Sequence, residues 1–338
     1  MLPRISIKGS PEELGFQHGD RLAEKINNTI EFYAKVSGDS HEDLLSKARY
    51  FKQKIKEYNY DYVREIEALS EGADINPLWI YALNSRTEIL SISPNECTAI
   101  YFQKTGILGQ NWDWARALED SIFLMEIEQP NDHKILTITE PGIIGKIGMN
   151  SSGLGVCLNI LMIDKELNGV PIHILLRSIL DSKTIEEAKE NVKKAGLGKA
   201  SNILVANGDG ECFNVEFAGD RAFYLTPENQ ILVHTNHFLA RQINPERGIF
   251  RSSYARMRTA KEKLESSGDR SLESMKNILL DRSNKDMPIN QKYIPFEAIE
   301  DLGTICTIVM DLKNLEIHIK KGANLEDDFQ KIKLQDRL

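Results

Sequence analysis

The sequence predicts an α+β fold, on three observations. Residues 1–96 carry helical periodicity; from Cys97 to about Leu239 the pattern changes to short β-type runs separated by Gly and Asn turns; and one helical insertion, 171–195, interrupts those runs. Ser10-Pro11-Glu12-Glu13 opens the first helix with a cap, a proline at the first position and acids in the first turn. Its apolar face continues through Leu22, Ile26, Ile30 and Tyr33. Two further helical stretches are expected over 41–73 and 77–90. The β-type runs are TAIYFQ, ILGQNWDW, IFLMEIE, KILTITE, KIGMN, GVCLNIL, NILVANG, CFNVEFA and ILVHTN. Helices over 252–266 and 271–281 follow, then the strands TICTIVMDL and LEIHIKKG. There are no internal repeats. Layers of helix over antiparallel sheet are the picture these elements give.

At 338 residues, 41% hydrophobic and 27% charged, the chain can bury a full core as one large domain or two ordinary ones. The change of pattern divides it into a helical N-terminal segment, 1–96, and a β-rich part, 97–338. A net charge of -8 gives no attraction to nucleic acid or an anionic membrane. The longest apolar stretch, 153–163, is short and broken by Asn159, so no membrane span is expected. The N-terminus lacks an apolar core and reaches acids by Glu12, so it does not read as a secretory signal. Four cysteines, with no CxxC pair, read as free thiols in a reducing compartment, and a cytoplasmic location follows as an expectation. Cys157, Cys212 and Cys306 lie in apolar strand runs and are expected to be inert core. Cys97 differs, because it follows the loop signal Ser93-Pro94-Asn95-Glu96.

Cys97 heads a hairpin. The runs 98–103 and 107–114 are joined by Lys104-Thr105-Gly106, and a three-residue loop places its last residue in the left-handed region that glycine adopts freely. With Gln103 facing Ile107, paired residue numbers sum to 210 and Cys97 lies opposite Asp113; a bulge at Gly106 shifts this by one. A carboxylate alone does not activate a thiol, since negative charge raises its pKa. If the Glu96–Cys97 bond were cut, the new α-amine, with a pKa of about 7.7–8, could act as general base on the same residue. The residues alone leave other readings open: an uncut, silent binding protein, or a hydrolase that uses one of seven histidines as base.

Glu96-Cys97-Thr98-Ala99 followed by Gly109-Gln110-Asn111-Trp112-Asp113-Trp114 resembles the acyl-CoA:6-aminopenicillanic acid acyltransferase family. That family belongs with the N-terminal nucleophile hydrolases and is related to choloylglycine hydrolases and acid ceramidases. Further blocks match in the same order: Leu14-Gly15-Phe16-Gln17-His18-Gly19, Leu83-Asn84-Ser85-Arg86-Thr87-Glu88, Gly148 to Val156, Leu158-Asn159, and His234-Thr235-Asn236-His237. The resemblance implies a four-layer αββα fold and a precursor that cuts itself between Glu96 and Cys97 into two chains. It implies Cys97 as nucleophile, Asp113 as its carboxylate, Asn236 as oxyanion donor with the Asn159 backbone N–H beside it, and Arg256 as the active-site arginine. Gln110 and Trp112 would line the substrate site. The substrate would be a small N-acyl compound; no cofactor is implied, and acyl-CoA enters only as a substrate.

Two departures stand out. Glu96 occupies the place of a glycine in the penicillin acyltransferases, which bears on the rate of processing, and Gln110 replaces the arginine of choloylglycine hydrolases, which argues against bile salts. His234 and His237 do not read as a metal pair, because residues three apart on a strand face opposite ways. The sequence is compatible with an oligomer.

Overall fold

The computed structural model describes residues 1–90, 97–163, 169–196, 200–218, 221–240 and 249–334. A short strand, β1 (Arg4–Lys8), precedes the helices. Ser10 then caps α1 (Pro11–Ser37): its hydroxyl accepts the Glu13 N–H and the Glu13 carboxylate accepts the Ser10 N–H. The stretch expected as one helix over 41–73 is two, α2 (His41–Tyr58) and α3 (Tyr60–Ala73). Extended Asn59 breaks them, and its side chain accepts the Asp61 N–H at 3.0 Å to cap α3. Ser85 likewise parts α4 (Pro77–Asn84) from α5 (Arg86–Ile89).

The β-rich part begins with β2 (Thr98–Phe102), β3 (Ile107–Ala115), β4 (Phe123–Glu128), β5 (Lys134–Thr139), β6 (Ile147–Asn150) and β7 (Leu154–Ile160). The helical insertion is α6 (Ile172–Asp181) and α7 (Ile185–Ala195), separated where extended Ser182 ends the first and Thr184 caps the second. Then come β8 (Ser201–Asn207), β9 (Cys212–Ala218), β10 (Arg221–Leu225) and β11 (Ile231–His234). The chain closes with α8 (Ile249–Ser267), α9 (Leu272–Leu279), β12 (Ile294–Phe296), β13 (Glu300–Asp311), β14 (Glu316–Lys321) and β15 (Gln330–Lys333).

These strands form two sheets. One runs β1-β4-β5-β6-β7-β8-β9-β10; the other runs β11-β2-β3-β13-β14-β15, with β12 on β13. Every pairing is antiparallel except β1 with β4. The sheets face each other where β7 meets β2 and β3. Helices α6 and α7 cover the outside of the first sheet, and α8 and α9 cover the second, which gives the αββα order. The facing strands are buried along their whole length in β2 and β3, which is why those runs read as continuous rather than alternating.

The first ninety residues are built into this sandwich. Within the helical layer, α1 and α3 meet at backbone distance through three glycines. A Cβ on Gly15 would lie 2.0 Å from the Glu65 carbonyl oxygen, one on Gly19 2.1 Å from that of Leu69, and one on Gly72 2.3 Å from that of Phe16. A buried ion pair, Arg177 Nη1 to Glu65 Oε1 at 2.7 Å, ties α3 to α6. Among the described residues no helix is long and apolar enough to cross a membrane.

Candidate active site

The hairpin that carries Cys97 differs from the expected register by one residue. Phe102 pairs with Ile107, so paired numbers sum to 209 and the loop is Gln103–Gly106, closed by the Gly106 N–H on the Phe102 carbonyl at 2.9 Å. Gly106 has φ 72°, as expected. The cause is Gln103, which leaves the ladder. Its N–H donates to Gln230 and its side-chain amide to Gly210, both at 2.9 Å. Continued one step past β2, the register sets Cys97 across from Trp112, and Asp113 is not the opposed residue.

Asp113 still reaches the thiol. Beside it the β3–β13 ladder is irregular between Thr304 and Cys306, and a bulge of this kind re-aims side chains. Trp112, Asp113 and Trp114, three consecutive residues, all line one cavity with Cys97. The cavity measures about 50 Å³, and Arg86, Lys146, His173 and Asn236 also line it. Burial pushes the Cys97 thiol up to about 11, and the Asp113 charge adds to this; the Asp113 backbone N–H, Arg256 and Lys146 act the other way. The uncut cysteine is therefore a poorly ionised thiol at neutral pH.

The structure brings together the other residues expected at the site. The Cys97 carbonyl oxygen accepts from Arg256 Nη1 at 2.7 Å and from Asn159 Nδ2 at 3.1 Å. Asn159 makes this contact through its side chain, whereas the expectation concerned its backbone N–H, which lies in the β7–β8 ladder opposite Asn202. Asn202 Nδ2 in turn donates to Asn159 Oδ1 at 3.2 Å. Arg256 is fully buried rather than a solvated helix residue. Its Nη1 also donates to Thr98 Oγ1 at 2.9 Å, and its Nη2 donates to Asn236 Oδ1 at 3.0 Å. That last contact identifies the amide oxygen of Asn236, so its NH2 is the end left to donate. One Asn236 proton goes to the Ile160 carbonyl at 3.0 Å.

Gln110 lines the cavity, but both ends of its amide are engaged. Nε2 donates to the Leu158 carbonyl at 2.6 Å and Oε1 accepts the Leu158 N–H at 2.9 Å, which clamps β3 to β7 across the two sheets. Trp112 presents its ring to Lys146, whose Nζ stands 3.3 Å from the ring centroid. Glu96, the residue before the expected cut, lies outside the described residues. Cys157 and Cys306 are fully buried, while Cys212 at the start of β9 is partly exposed. His234 and His237 have separate partners: His234 Nε2 pairs with Glu216 Oε1 and His237 Nδ1 with Ser253 Oγ, each at 2.7 Å.

Sequence reasoning did not find the charged cluster behind Trp112. Glu140 is fully buried and binds Arg86 Nη2 at 2.6 Å, Lys146 Nζ at 2.8 Å and the Tyr33 hydroxyl. The available signal was a lone lysine inside the apolar run Ile143-Ile144-Gly145-Lys146-Ile147. His173 on α6 was also missed; its Nε2 lies 3.2 Å from Thr87 Oγ1.

Two facing sheets with helices outside both make a four-layer αββα sandwich, with Cys97 at the head of an inner strand, and the chain is an enzyme of the acyl-transfer class. The profile for the acyl-coenzyme A:6-aminopenicillanic acid acyl-transferase family matches residues 102–326. Over 336 residues the chain is 30% identical to the acyl-coenzyme A:6-aminopenicillanic-acid-acyltransferase 40 kDa form of Emericella nidulans, covering 94% of this chain and 92% of that one. The chain belongs to the acyl-coenzyme A:6-aminopenicillanic acid acyl-transferase family. Among solved structures, a mutant of the conjugated bile acid hydrolase from Clostridium perfringens is similar at 14% identity and TM-score 0.48, covering 70% of this chain and 92% of that one. Penicillin V acylase from Agrobacterium tumefaciens is similar at 12% identity and TM-score 0.45, covering 70% and 86%.

Proposed function

We propose that the protein is a self-processing cysteine amidohydrolase or acyltransferase that carries the acyl group of a small N-acyl compound, or of acyl-CoA, as a thioester on Cys97. The observation that carries this reading is the cavity in which the Cys97 thiol sits beside Asp113, Asn236 and Lys146. The clamp of Arg256 and Asn159 on the Cys97 carbonyl supports it, because it holds the main chain of the nucleophile still while its bonds change. Cys97 would first attack the Glu96 carbonyl and be freed by water as a new N-terminus. Its α-amine would then serve as general base in turnover. The free NH2 proton of Asn236 would stabilise the oxyanion. A cavity of about 50 Å³ fits a scissile bond and a water, which is the scale of the processing step.

Intact mass tests the proposal. Wild-type protein is expected as fragments of 96 and 242 residues, and Cys97→Ala as one inert 338-residue chain. If Cys97→Ala hydrolyses N-acyl amides or acyl-CoA at the wild-type rate, the mechanism is wrong.

A further inference from the structure

Before the backbone is cut, Cys97 has no α-amine. The first proton transfer of the proposed scheme therefore needs a different acceptor within the cavity. Among the described residues, four side chains there titrate besides Cys97: Arg86, Asp113, Lys146 and His173. Arginine keeps its proton. The Asp113 charge acts to hold the proton on sulfur. Burial keeps His173 well below its usual range, so its imidazolium is a poor product, and its Nε2 already faces Thr87.

We propose that Lys146 is the group that accepts the Cys97 proton in the uncut chain, and that it hands this task to the new α-amine once the cut is made. The proposal rests on the self-processing reading above and deepens it. Its geometry is a short chain of neighbours. Cys97 lies across the hairpin from Trp112, and Lys146 Nζ stands over the Trp112 ring at 3.3 Å while lining the same cavity. The lysine side chain is only 4% exposed, so bulk water does not compete for its proton.

The surroundings permit a neutral lysine. Glu140 is shared by Arg86, Lys146 and the Tyr33 hydroxyl. When Lys146 loses its proton, the carboxylate keeps two donors and no buried charge is left bare. Burial and the Arg86 charge push Lys146 down to about 7, against the opposing pull of Glu140 and of Cys97. Amine and ammonium thus coexist at neutral pH, the condition for a working base.

The step balances. The Cys97 S–H proton passes to the Lys146 amine and the sulfur forms a bond to the Glu96 carbonyl carbon. The Glu96–Cys97 C–N bond then breaks, and the departing nitrogen takes the proton back from Lys146. Water adds to the thioester carbon, the C–S bond breaks, and the thiol is restored.

Lys146→Ala and Lys146→Arg, each made in the full chain, test this by intact mass against time. Cutting is expected to slow by roughly 100-fold or more in both, the usual loss of a general base. In Lys146→Ala, added methylamine should restore cutting in proportion to the concentration of its neutral form. In a cell-free translation of wild type, cutting should slow between pH 8 and pH 6. Lys146→Arg retains a cation for Glu140, so wild-type cutting in that variant would reduce Lys146 to an ion-pair partner and overturn the proposal. Wild-type cutting in Lys146→Ala would do the same, as would a folded Lys146→Ala that methylamine leaves uncut. If a variant fails to fold, the wild-type pH profile decides, and a flat one refutes the role. A wild-type protein that stays whole with Met1 as its single start would instead sink the self-processing reading itself.

Discussion

At the scale of single residues, Asn236 offers the cleanest separation of binding from chemistry. Arg256 and the Ile160 carbonyl hold its amide; truncating it removes a donor together with the acceptor of Arg256 Nη2, while Arg256 Nη1 keeps its bonds to the Cys97 carbonyl and Thr98 Oγ1. Asn236→Ala is expected to lower kcat by about 10²–10³-fold, or about 2.7–4 kcal/mol, with little change in KM. Steady-state kinetics on cut protein would check this, and a rise in KM at constant kcat would contradict an oxyanion role. The residues that converge on Cys97 could be named from the sequence because motif order carried them. Lys146, Glu140 and Arg86 could not. A buried charge is intelligible only with its partners, and Arg86 and Glu140 are 54 positions apart. The Asn159 side-chain contact was equally hidden, since sequence shows that an amide is present but not which of its atoms points inward.

At the scale of elements, the α1–α3 contact is the least forgiving part of the helical layer. Gly19→Ala would set a methyl 2.1 Å from the Leu69 carbonyl oxygen, so the helices must part. A loss of about 1–3 kcal/mol is expected, with a fall in Tm of about 2–4 °C for each kcal/mol, measurable by thermal unfolding. The helices and inner strands were legible because their apolar patterns are long. Breaks were harder to see. Asn59 and Ser182 end helices inside a periodic stretch because both flanking helices bury a face in the same core. The strands β1, β10 and β15 mix polar, exposed residues into their runs, and β12 is only three residues long, so none of them shows the apolar run that marks an inner strand. The hairpin register was off by one because Gln103 takes partners near Gly210 and Gln230, over 100 residues away.

At the scale of the whole molecule, several buried histidines make stability depend on pH. Burial pushes His18 down to about 3 and His237 to about 4, and keeps His173 well below its usual range. Each of these folded-state values lies below the unfolded value of about 6.5. Their contribution is therefore complete above pH 6.5 and declines as pH falls toward 4 and 3, because the unfolded chain binds protons that the folded one refuses. His18 shows the local reason: its Nε2 accepts the Gly142 N–H at 3.1 Å and cannot do so once protonated. Tm is expected to fall from pH 7 to pH 4, and His18→Gln should flatten part of that slope in a thermal melt series.

The outermost place of β1 in its sheet also has a bearing on biosynthesis. Residues 4–8 lie alongside 124–128, so the sheet is incomplete on a ribosome until more than a third of the chain has been made. A polypeptide begun at Cys97 would leave the β4 backbone with a vacant flank, open to pairing with any other strand it met. The first segment thus supplies the strand that closes this edge of the second segment's sheet, and the pairing of residues 4–8 with 124–128 is what a chain lacking residues 1–96 would lose.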